Sequence, residues 1–314
     1  MEEHYLYAKQ ILHHKYHDSP YYPMFVVSMF ALLEKYPDYL NLITYLFLST
    51  KIYIEDDSVG KILDRHRIDY VAFDEDNKNT YETLGISIPQ DVVNIVNKKL
   101  VRETKSPVIV CSSYHVSPTV LLNTFIHEMN HLVKGSLHAF SMRHVDNTTI
   151  CSSRIGINTR YYQHQQGEDD FLITNEFEIL DEVINTLQTT ELMHSVFQLD
   201  GMIPDYSIQN YLNRLNQWEG LKDQGYEDVI KLLKPLWDNS TFRSIIEDVL
   251  VEGNISSMIE EYNSIMGEGA FEQFAYSFDI IDCVGFFSKE HRQARKCIKT
   301  AINHFPKEKV KIIS

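Results

Sequence analysis

Between Ser117 and Gly135 large apolar residues recur at helical spacing among polar ones, and whatever buries this stretch must also satisfy the polar groups. Val120, Leu121, Leu122, Phe125, Ile126, Met129, Leu132 and Val133 give a helix that is apolar on most sides. Ser117 followed by Pro118 supplies an N-cap and a proline at the first helical position, and Gly135 serves as a stop. Inside such a helix His127, Glu128 and His131 are costly to bury without partners. Their spacing points to one partner for all three. Residues i and i+4 lie a turn apart on one face, so both imidazoles can reach a single metal ion, with Glu128 beside them. Such an ion lowers the pKa of a bound water from about 16 towards roughly 7, and the carboxylate is placed to take its proton. The bland alternative is a helix whose two histidines only face solvent or hydrogen-bond.

A hydrolytic zinc takes three protein ligands and leaves a fourth position for water. One source for the third is a histidine soon after the glycine, as in the spacing HExxHxxGxxH. Here Gly135 and His138 each fall one residue too late, because Lys134 and Leu137 occupy the required places. The other source is a glutamate on a second helix. Residues 171–194 read as a helix capped by Thr174 or Asn175, with Phe177, Leu180, Val183, Ile184 and Leu187 at helical spacing. It carries Glu176, Glu178, Asp181 and Glu182. Glu176 suits an acidic first turn, favoured by the helix dipole. Glu182 lies in the middle of the helix, among Leu180, Val183 and Ile184, and Glu178 competes with it.

At this point the chain resembles the gluzincins, zincin metallopeptidases that add a glutamate from a later helix to the HExxH pair. Many of them carry that glutamate in a stretch L-N-E-[AG]-x-[TN]-E. Leu180-Asp181-Glu182-Val183-Ile184-Asn185-Thr186 is similar, with Asp for Asn and Val for the usual small residue. The resemblance covers roughly residues 105–195. It implies Zn2+ held by His127, His131 and Glu182, with Glu128 as general base and proton shuttle on a peptide or protein substrate. It also implies that the strand-like segment 106–111 is an edge that pairs with extended substrate, an ordinary core strand being the other reading. Peptide hydrolysis develops an oxyanion, which a nearby donor stabilises. Tyr161 and Tyr162 lead the candidates, ahead of Arg143, His144, Arg154, Arg160 and His164. The alternative function is a catalytically inactive zincin-fold protein that binds metal or a partner.

The expected fold is α+β and mostly helical. The zincin-like version has a small mixed upper lobe with a short sheet, a helical lower lobe, and the active-site helix between them. Residues 1–135 would form the N-terminal helices and upper lobe, and 136–314 the lower lobe with the third-ligand helix. Expected strands are 51–55, 69–73 and 107–111, and expected helices fill most of 1–50 and lie near 58–66 and 89–104. Residues 148–163 alternate and suggest a hairpin or loop-strand pair. Beyond 117 helices dominate, at 207–218, 226–237, 241–251, 254–265, 269–278 and 286–303.

Composition adds mainly exclusions. The net charge of −15, with no basic cluster against it, disfavours a nucleic-acid partner. The apolar runs 22–33 and 39–49 are split by Glu34, Lys35, Pro37 and Asp38, so buried helices are expected and no membrane span. The first residues are polar and acidic, unlike a signal peptide. The four cysteines show no CxxC spacing, which suits free thiols in the cytoplasm. Oligomeric state is not legible.

Overall fold

In a computed structural model the described residues are 2–68, 83–96, 99–136, 141–165, 171–215, 227–252, 254–284 and 288–305. They form a mostly helical α+β protein with small sheets. The chain divides into two compact units, residues 1–136 with 188–220, and residues 137–187 with 221–314.

The first unit opens with α1 (Glu2–Tyr16), α2 (Tyr22–Lys35), a short 3-10 turn and α3 (Leu40–Ser49). In α2 every residue from Met24 to Leu33 is buried, which accounts for the apolar run of the sequence, and Ser28 within it donates to the Met24 carbonyl at 2.7 Å. No helix among the described residues is long and apolar enough to cross a membrane. Next come β1 (Lys51–Glu55), α4 (Val59–His66), β2 (Gly85–Ile88), β3 (Asp91–Val96), β4 (Lys99–Thr104) and β5 (Val108–Ser112). The expected strand at 69–73 lies outside the described residues. The expected helix at 89–104 is instead the antiparallel pair β3 and β4. Val92, Val93, Ile95, Val96 and Val101 are β-branched and suit a pleated ladder better than a helix.

The three-stranded sheet has the order β1-β5-β2, with β1 parallel and β2 antiparallel to β5. Of the two readings of segment 106–111, the core strand holds and the edge strand does not, since β5 is central. Burial on both faces is the reason. Ile109 and Cys111 join the core that includes Leu122, Phe125 and Met129, while Val110 joins Val59 and Ile62 of α4. A strand covered on both sides reads as a continuous apolar run. The outer positions belong to β1 and β2.

The second unit contains a four-stranded antiparallel meander: β6 (Ser141–Val145), β7 (Thr148–Ile155), β8 (Asn158–Gln165) and β9 (Phe171–Glu176). The expected 148–163 pair is thus the middle of a larger sheet. Helices follow at Glu227–Trp237, Ser240–Glu252, Ile255–Met266, Ala270–Cys283 and Lys289–His304. Their core is rich in aromatic rings, with Phe242, Tyr262, Phe271, Phe274 and Phe278 buried.

The helix expected to begin near Thr174 begins at Glu178 instead, and runs to Phe197. Strand pairing overrides the local signal: Thr159 pairs with Glu176 and His164 with Phe171, so 171–176 complete the meander. Phe177 then turns the chain at φ +65°. Glu176 is consequently a strand residue, and Glu178 with Asp181 occupies the acidic first turn.

Candidate metal centre

Helix α5 (Pro118–Ser136) starts as its sequence dictates, with the Ser117 hydroxyl accepting the N–H of Val120 at 3.3 Å. It continues through Gly135, so that glycine is not its stop. Leu122, Phe125, Ile126, Met129 and Val133 are fully buried, and Phe125 packs its ring 5.1 Å from Phe25 and 6.2 Å from Phe47. This packing fixes how α5 is turned about its axis, and hence where its polar face points.

On that face the rings of His127 and His131 stand 4.8 Å apart and inclined by 76°. Their Nε2 atoms approach to 3.1 Å. Two nitrogen ligands at about 2.0–2.1 Å from a tetrahedral zinc lie roughly 3.3 Å apart, so the pair already has nearly the separation that zinc requires. His131 is buried and His127 half-buried.

Glu128 is 8% exposed, because β2 passes directly over it. A Cβ built on Gly85 would lie 3.1 Å from both Cγ and Oε1 of Glu128, and 2.5 Å from the Thr124 methyl. Only a residue without a side chain permits this approach. Gly85 pairs with Cys111, whose thiol is pushed up first by burial and then by the charge of Glu128. The carboxylate thus sits under strand backbone and beside a protonated thiol.

Asn130, one residue before His131, is completely buried. Tyr36 donates its hydroxyl hydrogen to Asn130 Oδ1 at 2.9 Å, and Asn130 Nδ2 donates to Gln188 Oε1 at 3.2 Å. Lys35 pairs with Glu191 at 3.0 Å. Gln188 and Glu191 belong to α6 (Glu178–Phe197), so the later half of α6 is tied to α5 and α2 inside the first unit.

The earlier half of α6 belongs to the second unit. Glu182 is half-buried there, and Thr186 donates its hydroxyl hydrogen back to the Glu182 carbonyl at 2.9 Å. Glu178, the competing ligand, accepts from Asn175 Nδ2 at 2.9 Å and lies 3.8 Å from Arg160. Tyr161 and Tyr162 are both on β8 and half-buried, and as neighbours on a strand they point to opposite faces. Burial raises the Tyr161 hydroxyl above its usual range, helped by Glu176, which accepts its hydrogen bond. His144 bonds Thr149 at 2.9 Å on exposed β6, and His164 is buried. His138 lies outside the described residues.

Among the described residues His127, His131 and Glu182 form a group that could hold a metal ion, each offering one ligand atom. Sequence reasoning missed Gly85, Tyr36 and Gln188. Only Gly85 carried a signal, a glycine beginning a strand pattern, which often marks close approach of backbone to another group. No protein-family model, curated protein or solved structure matches the chain.

Proposed function

We propose that this protein is a zinc-dependent metallopeptidase of the gluzincin type, with His127, His131 and Glu182 as ligands and Glu128 as general base. The observation that carries the reading is the histidine pair on α5, two Nε2 atoms 3.1 Å apart with a buried carboxylate on the intervening residue. Support for Glu182 comes from the ligand atoms of all three residues lying within 4.8 Å of one another. Two imidazoles and a carboxylate are a donor set that suits zinc in hydrolases and leaves a fourth position open. When bound, the metal supplies a Lewis acid and makes hydroxide available near neutral pH.

The chain's own residues do the rest. Glu128 takes a proton from the attacking water and returns it to the leaving amine. Its screening by β2 keeps bulk water from competing for that proton. The side of β2 away from β5 has no partner strand among the described residues, and an extended peptide can add there by main-chain hydrogen bonds. Tyr161 and Tyr162 face opposite ways, so at most one of them is the oxyanion donor. In this reading the first unit corresponds to the upper lobe of a zincin with its active-site helix. Cys111, Cys151, Cys283 and Cys297 are free thiols, in keeping with a cytoplasmic protein.

Elemental analysis of protein purified without added metal, paired with an unbiased peptide-library digest, tests the proposal. Wild type should hold about one zinc and cleave peptides. Glu128→Gln should keep the zinc and lose nearly all turnover, whereas His131→Ala should lose both. Wild-type protein without zinc would overturn the centre. Zinc without cleavage would leave the inactive metal-binding alternative.

A further inference from the structure

We propose that the second unit holds a binding pocket for a small organic cation, an ammonium or guanidinium head, which shares no residue with the metal-binding group. A cavity of about 490 Å3 is lined by residues from the meander and from the helices Ile255–Met266 and Ala270–Cys283. Strand register explains its floor. Arg154 pairs with Thr159 and Thr159 with Glu176, so these three side chains form one row across β7, β8 and β9. Tyr161, two residues along β8, lies on the same face. The opposite wall carries Glu272 and Tyr276, one turn apart on a single helix.

The chemistry of this lining selects the ligand. Its charged members are Arg154, Glu176 and Glu272. Burial lowers the Arg154 guanidinium, and the charge of Asp181 partly offsets this. With one guanidinium against two carboxylates, the lining carries an excess of negative charge. Glu272 Oε2 is buried and accepts no hydrogen bond from the described residues. A buried acceptor left unmade is costly, and such a group in a folded protein calls for a donor in the space beside it. The cavity supplies that space, and a cationic donor answers both the missing hydrogen bond and the net charge.

Two aromatic residues fit the same ligand. Tyr161 and Tyr276 offer ring faces that attract a cation, and Tyr276 is 52% exposed, as expected at a mouth. An anion is less suited, although the helix from Ile255 begins here. Its end is already capped, because Asn254 Oδ1 accepts the N–H of Ser257 at 3.2 Å. The volume lies in the range of small-molecule sites and exceeds what one water needs.

Calorimetric titration of the full-length protein with butylammonium, agmatine and, as the anionic counterpart, butanoate tests the proposal. At least one amine should bind with a Kd of about 1 mM or tighter, and butanoate should bind more weakly. Glu272→Gln, which keeps shape and removes charge, should weaken the amine about 10-fold or more. Should that variant fail to fold, Tyr276→Ala at the exposed mouth replaces it, with a loss of about 3-fold or more expected. Failure of wild type to bind either amine, tighter binding of butanoate, or unchanged affinity in the folded variants would each overturn the site. None of these outcomes depends on zinc or on peptidase activity.

Discussion

Helices α5 and α6 carry the proposed ligands, yet they begin in opposite ways. The first is started by its own sequence: Ser117 accepts the N–H of Val120, and Pro118 opens the helix. The second follows Phe177, which has no side-chain oxygen and sits at φ +65°. The N–H of its Ile179 goes instead to Asp279, a hundred residues away along the chain. A helix start supplied from nearby can be read in sequence, whereas one supplied from a distant element depends on the fold around it. A similar contrast appears where each helix meets a glycine. Gly85 lies over the middle of α5, and Gly156 against the first turn of α6.

The sharpest way to break the comparison is Gly156→Ala. The residue holds φ +60°, and an added Cβ would overlap Asp181 Oδ1, which accepts the N–H of Ile157 at 2.9 Å. Strain and overpacking together should cost about 3 kcal/mol or more in urea unfolding. At Gly85 the backbone conformation is ordinary, so only packing opposes a side chain. Gly85→Ala should cost about 1–3 kcal/mol, and Thr124→Ser in the same chain should recover part of it by removing the methyl 2.5 Å away. On the functional proposal, Gly85→Ala should also lower kcat while zinc content stays at wild type.

The pH dependence of α6 sharpens the contrast further. Burial, reinforced by Glu178, pushes Asp279 up to about 6. Its folded value therefore exceeds its unfolded one, so protons bind the folded state more tightly. The corresponding stability is complete below about pH 4 and is lost as pH rises through about 6. Melting between pH 5 and 7 should show wild type losing stability relative to Asp279→Asn, with the two differing least at the acid end. Ser117→Ala should have the smallest effect, about 1 kcal/mol with little pH dependence, because a local cap is all that is removed. A larger loss there would mean that α5 also depends on more distant partners.

Half of the candidate metal-binding group was placed from sequence because it is local. His127, Glu128 and His131 share a helix whose cap and apolar stripe lie within the same stretch, and the period of 3.6 places them without further help. The start of α6 was not legible, since 171–176 carry apolar residues compatible with a helix and only the β8 register makes them a strand. Residues 89–104 were misread for a related reason: Val92, Val93, Ile95 and Val96 fit more than one period, and pairing with β4 decided between them. Segment 106–111 was read correctly as a strand, but its central place depends on β1 and β2, which are distant in sequence. Gly85 over Glu128 and Gln188 against Asn130 are contacts between distant positions, and no periodicity within either segment could announce them.

Cys111 gives the sheet above α5 its own clock. Its thiol is fully buried on the central strand, and burial with the neighbouring Glu128 charge suppresses the thiolate that alkylating reagents need. Modification must therefore wait until this part of the core opens, so the rate at which Cys111 is labelled in the native protein measures how often β5 lifts away from α5.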